Sequence, residues 1–309
     1  MNELCFFLAA EEDLPFIAET YQKNIAALHG TDRTLEQWEE LLQKPDQHYY
    51  VVYSDRPVAW FRLDVEEGGL WLGMLQVDPA YQRQGIGSYI LSSTEKIAKE
   101  QKLPYVGIHT TEDNLAARAL YLRAGYALTE VGPCTTADGA ERIGYTFQKH
   151  LVKPSVCKAS VRPYEEKDYD AISRIHDAAR KIELALAGLP DAFLPFSVAS
   201  EREDFFDYPH IDVATANEEV VGFSAYTNEE LAWLYVSPSS FRQGIASALI
   251  ANALQTEPGI CEIEVLVGNE PAKGLYETFG FSLEKIVSGV MPGNESFPVK
   301  VYCMHRGEK

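Results

Sequence analysis

Two short segments recur along this chain, in the same order and at nearly the same separation. Residues 77–87 read V-D-P-A-Y-Q-R-Q-G-I-G, and residues 236–246 read V-S-P-S-S-F-R-Q-G-I-A. Downstream of the first, 114–126 read N-L-A-A-R-A-L-Y-L-R-A-G-Y. Downstream of the second, 269–281 read N-E-P-A-K-G-L-Y-E-T-F-G-F. Chance is a poor account of two motifs repeated in one order. The separation is about the length of a domain, far beyond the roughly 20–50-residue period of a solenoid. The expectation is one domain built twice, over residues 1–152 and 159–309, with a linker near 149–158 that contains Pro154.

Length and composition agree with that reading. The chain has 309 residues, 46% hydrophobic and 24% charged, as expected of globular domains each able to bury a core. Its net charge of −19, with acid in excess in each half, opposes a nucleic-acid-binding surface. An acidic field favours cationic small molecules such as amines, although it also serves plain solubility. Cys5, Cys134, Cys157, Cys261 and Cys303 are odd in number and form no C-x-x-C pair. They therefore read as neither a disulfide framework nor a zinc site, and they suit the cytoplasm. The scattered histidines show no ligand spacing, so no metal is expected. Glu11, Glu12 and Asp13 near the start do not fit a secretion signal. No stretch approaches the roughly 18 apolar residues of a membrane helix, and no membrane partner is expected.

Periodicity supplies the elements. In the first half, 5–9, 49–53, 58–65, 70–77, 105–110 and 142–148 read as strands. Residues 14–27, 35–42, 87–99 and 115–123 read as helices, with Asp13 and Thr34 as N-caps for the first two. In the second half, 160–162, 211–216, 220–226, 231–236 and 262–267 read as strands, and 169–186, 245–254 and 272–279 as helices. Residues 190–206 read as loop or short helix over the site. The fold class that follows is α+β or α/β, each half a mixed, mostly antiparallel central sheet with helices on its faces.

Gln82, Arg83, Gln84, Gly85, Ile86 and Gly87 follow a strand and open a helix; Arg242, Gln243, Gly244, Ile245 and Ala246 do the same in the second half. Free N–H groups at a helix start attract anions, and glycine leaves room for a phosphate to approach. A bare strand–helix connection is the alternative use of such a turn.

With the downstream motif added, the chain resembles the GNAT superfamily of N-acetyltransferases. That family's acyl-CoA signature, Q/R-x-x-G-x-G/A, is met in full by Gln82, Gly85 and Gly87. Gly244 and Ala246 meet it in the second half, where Phe241 stands in place of Gln or Arg. The second motif is met by Asn114, Ala117, Tyr121, Gly125 and Tyr126, and again by Asn269, Ala272, Tyr276, Gly280 and Phe281. The resemblance implies that acetyl-CoA is the donor substrate and that its pyrophosphate lies on these turns. Its pantetheine arm would pair with strand backbone near Leu75 and Val77, and near Leu234 and Val236. Acetyl then passes directly to an amine, and the motif tyrosines, Tyr121 and Tyr276, protonate the departing thiolate.

Each tyrosine has packing against the sheet as its alternative. Glu230, six residues before Val236, stands where some relatives carry a glutamate base; a place on a turn surface is its alternative. Trp71 occupies the matching position of the first half, so the second half has the better base candidate and the first the better donor signature. The apolar run 184–196 lines an acceptor pocket or packs on the sheet. The leading expectation is acetylation of a primary amine on a small molecule. A protein or peptide amine as acceptor, and a non-catalytic acyl-CoA-binding module, are the alternatives. A tandem chain also allows an internal pseudo-dimer of its halves.

Overall fold

Alternating side chains set the layers of the first half. On β2 (His48–Tyr53) and β3 (Pro57–Glu66), Tyr49, Val51 and Trp60 are buried with Ile17, Tyr21 and Trp38. These last three lie on α1 (Leu14–Asn24) and α2 (Leu35–Leu42). The intervening residues Tyr50 and Phe61 stack on each other and meet Phe6, which touches Tyr89 of α3 (Ile86–Glu100). Neighbouring strand residues point to opposite faces, so α1 and α2 cover one face of the sheet and α3 the other.

The structure is a computed structural model that describes residues 3–45, 47–151 and 159–307. Of the expected linker, residues 152–158 lie outside that range. Backbone contacts divide the chain into two units, Met1–Lys153 and Pro154–Lys309. The first unit adds β1 (Cys5–Leu8), β4 (Gly69–Val77), β5 (Tyr105–Thr111), α4 (Leu115–Arg123), β6 (Ala127–Thr135) and β7 (Glu141–His150). Its seven strands form one sheet in the order β1-β2-β3-β4-β5-β7-β6. All neighbours are antiparallel except β4 and β5.

The second unit runs through the same succession of elements: β8 (Ser160–Pro163), α5 (Tyr169–Ala187), α6 (Phe196–Arg202), β9 (His210–Ala216), β10 (Glu219–Tyr226), β11 (Leu231–Val236), α7 (Ile245–Thr256), β12 (Glu262–Leu266), α8 (Glu270–Thr278), β13 (Phe281–Met291) and β14 (Asn294–Arg306). Here the sheet is opened into two, β11-β10-β9-β8 and β12-β14-β13. A single parallel bridge, Glu230 to Glu262, joins them. Phe223 and Ala225 of β10 pack with α5 and α6, while Gly222, next before Phe223, faces Ile245 and Leu249 of α7, so helices again cover opposite faces.

Three strands had no counterpart in the periodicity: β6, β13 and β14. β13 is buried only at its ends, Phe281 and Met291, with every residue between them exposed. No alternating pattern marks a strand of that kind. Pro133 interrupts β6 and Pro298 interrupts β14 in the same way. Thr34 caps α2, accepting from the Gln37 N–H at 3.2 Å. Asp13 does not cap α1. Its carboxylate turns back to the Ala10 N–H and the Tyr53 hydroxyl, because Asp13 already has helical backbone angles and closes a preceding 3-10 turn. The apolar run at 184–196 packs inward: Leu184 and Ala192 form one cluster with Leu266 and Met291. Phe196 is fully buried against Phe205, Phe223 and Trp233. Phe196→Ala is expected to cost about 3–5 kcal/mol, read as a lower urea midpoint for the second unit.

Candidate functional site

The strand before each glycine turn loses its neighbour. β4 pairs with β5 only from Leu70 to Leu72, against Val106 to Ile108. Beyond that, β4 keeps only β3, across a bulge where Met74 has φ 52°. In the second unit the separation is complete after the Glu230–Glu262 bridge. Hydrogen bonding alternates along an antiparallel strand. Since the Asp78 N–H bonds the Val58 carbonyl and the Ser237 N–H bonds the Val221 carbonyl, the N–H and C=O of Val77 and Val236 point the other way. They face the gap, as do those of Leu234.

At the end of each strand the chain makes a single 3-10 turn and enters a long helix. Arg83 and Gly85 have φ of 59° and 87°, and Arg242 and Gly244 have 64° and 85°. Gln84 and Gln243 brace the turns by donating to the carbonyls of Ala80 and Ser239. The first intrahelical bonds are Tyr89 N–H to Gly85 O and Ala248 N–H to Gly244 O. The N–H groups of Ile86, Gly87 and Ser88 therefore have no helix partner, nor do those of Ile245, Ala246 and Ser247. Neither helix has a side-chain cap or an acidic residue in its first turn. Each helix start thus presents free donors and a positive dipole end beside an arginine, an arrangement suited to a phosphate. The two glycines of the first turn have different reasons. At Gly85 a Cβ would meet nothing within 4 Å, so the requirement there is the left-handed backbone. At Gly87 a Cβ would lie 3.0 Å from Leu120 of α4, so smallness there lets α3 pack on α4.

The motif asparagines are helix caps. Asn114 accepts from the Ala117 N–H at 3.2 Å, and Asn269 from the Ala272 N–H at 3.3 Å. Tyr121 and Tyr276 follow on the helices so capped, 6% and 7% exposed. Neither hydroxyl has a hydrogen-bond partner among the described residues. Burial pushes the Tyr121 hydroxyl up to about 12; Tyr276 is raised as well, by burial first and then by Glu183. In the second unit Leu234 packs on the cluster that contains Tyr276, and also on the cluster of Val236, Ile245 and Ala246. Donor-edge strand, turn helix and tyrosine thus adjoin one another. In the first unit Gln82 donates to the Val77 carbonyl at 3.3 Å, and Asn24 of α1 donates to the same carbonyl at 3.1 Å.

Glu230 lies at the root of the second gap. It is half-buried, and its carboxyl is raised by burial and then by Glu264 and Glu262 of β12. In the first unit the indole of Trp71 takes this place, stacked on His109 at 4.5 Å.

A further group on the second unit escaped the sequence reading. Arg180 of α5 donates to Glu183 at 2.7 Å and to the Tyr235 hydroxyl at 3.2 Å, and Tyr235 also donates to Glu183. Glu203, just past α6, is half-buried against the β13–β14 turn, where a Cβ on Gly293 would lie 3.2 Å from its Oε1. Burial, and beyond it Glu183 and Glu295, raise its carboxyl to about 7 against the opposing pull of Arg180. These residues are far apart in sequence and share no spacing. The one local signal is the i, i+3 pair Arg180 and Glu183 on a helix.

Family models match both halves of the chain. A family model described as Acetyltransferase (GNAT) family matches residues 14–126, and one described as Acetyltransferase (GNAT) domain matches 203–283. Similar solved structures include the ribosomal-protein-S18-alanine N-acetyltransferase from Escherichia coli, 19% identical with a TM-score of 0.41, covering 48% of this chain and 94% of that one. An N-acetyltransferase from Staphylococcus aureus Mu50 is 15% identical with a TM-score of 0.43, covering 49% and 100%. A spermidine N-acetyltransferase from Vibrio cholerae, solved with CoA and spermine, is 16% identical with a TM-score of 0.42, covering 48% and 95%.

Two expectations follow. Gly85→Ala puts a side chain at φ 87° and is expected to cost about 1–2 kcal/mol, seen as a lower Tm. Glu203 holds its proton to about 7 when folded, whereas an unfolded glutamate releases it near about 4.3. The folded chain binds more protons across that window, so stability falls as pH rises through it. Glu203→Gln is expected to flatten this decline in denaturation midpoints measured across the window.

Proposed function

From a chain whose two halves each belong to the GNAT acetyltransferase family, we propose an N-acetyltransferase that moves acetyl from acetyl-CoA directly to a primary amine of a small molecule. The observation that carries this reading is the pairing, in each unit, of an uncapped helix start with a strand edge that no neighbouring strand takes up. A phosphate on the free N–H groups and an extended amide arm along the strand account for those two features together. A thioester laid in this way keeps its carbonyl close to the motif tyrosine.

The second unit is the stronger candidate for chemistry. The acceptor amine gives up a proton, directly or through water, to Glu230, whose affinity for protons is raised by burial and then by Glu264 and Glu262. The nitrogen lone pair then attacks the thioester carbonyl. The tetrahedral adduct collapses with cleavage of the C–S bond, Tyr276 supplies a proton to the thiolate, and the surplus proton on the new amide nitrogen passes back to the Tyr276 phenolate. A buried phenol keeps that proton until a thiolate needs it. The acidic balance of the chain, a net charge of −19, favours a cationic acceptor.

The test is release of free CoA thiol from acetyl-CoA in the presence of a panel of primary amines. Tyr276→Phe is expected to lower kcat about a hundredfold, with Tyr121→Phe doing far less. The reverse ranking would move the chemistry to the first unit. Thiol release that no amine stimulates would remove the transferase reading.

A further inference from the structure

We propose that the donor edge of the first unit is closed at rest by the unit's own side chains, so that the second unit carries the edge open to acetyl-CoA; this rests on the donor-edge reading above. A carbonyl oxygen has two lone pairs. At Val77 both are engaged, one by Asn24 Nδ2 at 3.1 Å and one by Gln82 Nε2 at 3.3 Å. Asn24 is held in place by a second bond to the buried Gln76 side chain at 3.0 Å, and its neighbour Lys23 pairs with Asp78 at 2.8 Å. The end of α1 is thereby strapped over the last residues of β4. An amide arm adding to β4 has to break these bonds before it makes its own.

The second unit lacks every part of the strap. Aligned on the 3-10 turns that precede α1 and α5, Lys23 and Asn24 become Ala178 and Ala179. Aligned on the glycine turns, Gln76 becomes Tyr235 and Gln82 becomes Phe241. Tyr235 is drawn to Glu183 and Arg180, and among the described residues no side chain bonds the Val236 carbonyl. The Gln82 that completes the first unit's donor signature is thus part of what closes it, and the Phe241 that breaks the second unit's signature leaves the edge free.

The experiment is calorimetric titration of the full chain with acetyl-CoA. One site is expected, lost in Ser247→Asp and kept in Ser88→Asp. Each substitution sets a carboxylate among the free N–H groups of one helix start without disfavouring the helix. Releasing the strap with Asn24→Ala and Gln82→Ala together is expected to add a second site. Installing it with Ala179→Asn and Phe241→Gln is expected to weaken the original site about tenfold or more, the effect of one or two hydrogen bonds. Two equal sites in the unaltered chain, or loss of the single site in Ser88→Asp, would overturn the proposal. So would strap-release and strap-installing variants that both titrate like the parent while keeping its circular dichroism. No heat from the folded parent or from the strap-release variant would instead sink the donor reading itself.

Discussion

A strand edge cannot leave its amides unpaired inside a fold without something to take them up. β4 and β11 each keep one neighbour and lose the other part-way along. Much else in each unit is disposed around that gap. A helix starts at its far end with free N–H groups, and in the second unit a buried tyrosine stands beside the strand. The helices that follow β5 and β12 begin at asparagine caps. The gap is the place where the sheet's own hydrogen bonding is held in reserve for a guest.

Similar backbones carry two different chemical settings. At the root of the gap the first unit stacks Trp71 on His109, and the second crowds Glu230 with Glu262 and Glu264. At its end the first unit ties amides to a carbonyl, and the second ties a tyrosine to an arginine–glutamate pair. The first arrangement lowers the polarity of the gap and fills it; the second leaves its backbone free and surrounds it with charge. A duplicated fold that keeps its turns can diverge in this way through a handful of side chains, because the turns are set by backbone at Gly85 and Gly244 and not by what faces the gap.

Most elements were legible from the chain, because each helix or strand with one buried face writes its period into the sequence. α2, α4 and β11 fall where the pattern places them. β13 was not legible because its exposed stretch of Leu283, Ile286, Val287 and Val290 alternates with nothing. The repeat revealed the turns and tyrosines, since those motifs are local. The Asn24–Val77–Gln82 contact and the Arg180–Glu183–Tyr235–Glu203 group were hidden for the opposite reason. Their members are ordinary polar residues drawn together by strand order, and only proximity gives them meaning.

Among the described residues, the two sheets of the second unit share strand pairing only at the bridge between Glu230 and Glu262. From that point β11 runs for six residues, a lever about 20 Å long at the usual rise of a strand. A tilt of about 5° between the two sheets at the bridge moves the tip of β11 by roughly 1.7 Å on that lever, about half the width of a hydrogen bond. The same tilt barely disturbs the root, where three glutamates meet. A rotation of that size would change the spacing at Val236 far more than the surroundings of Glu230.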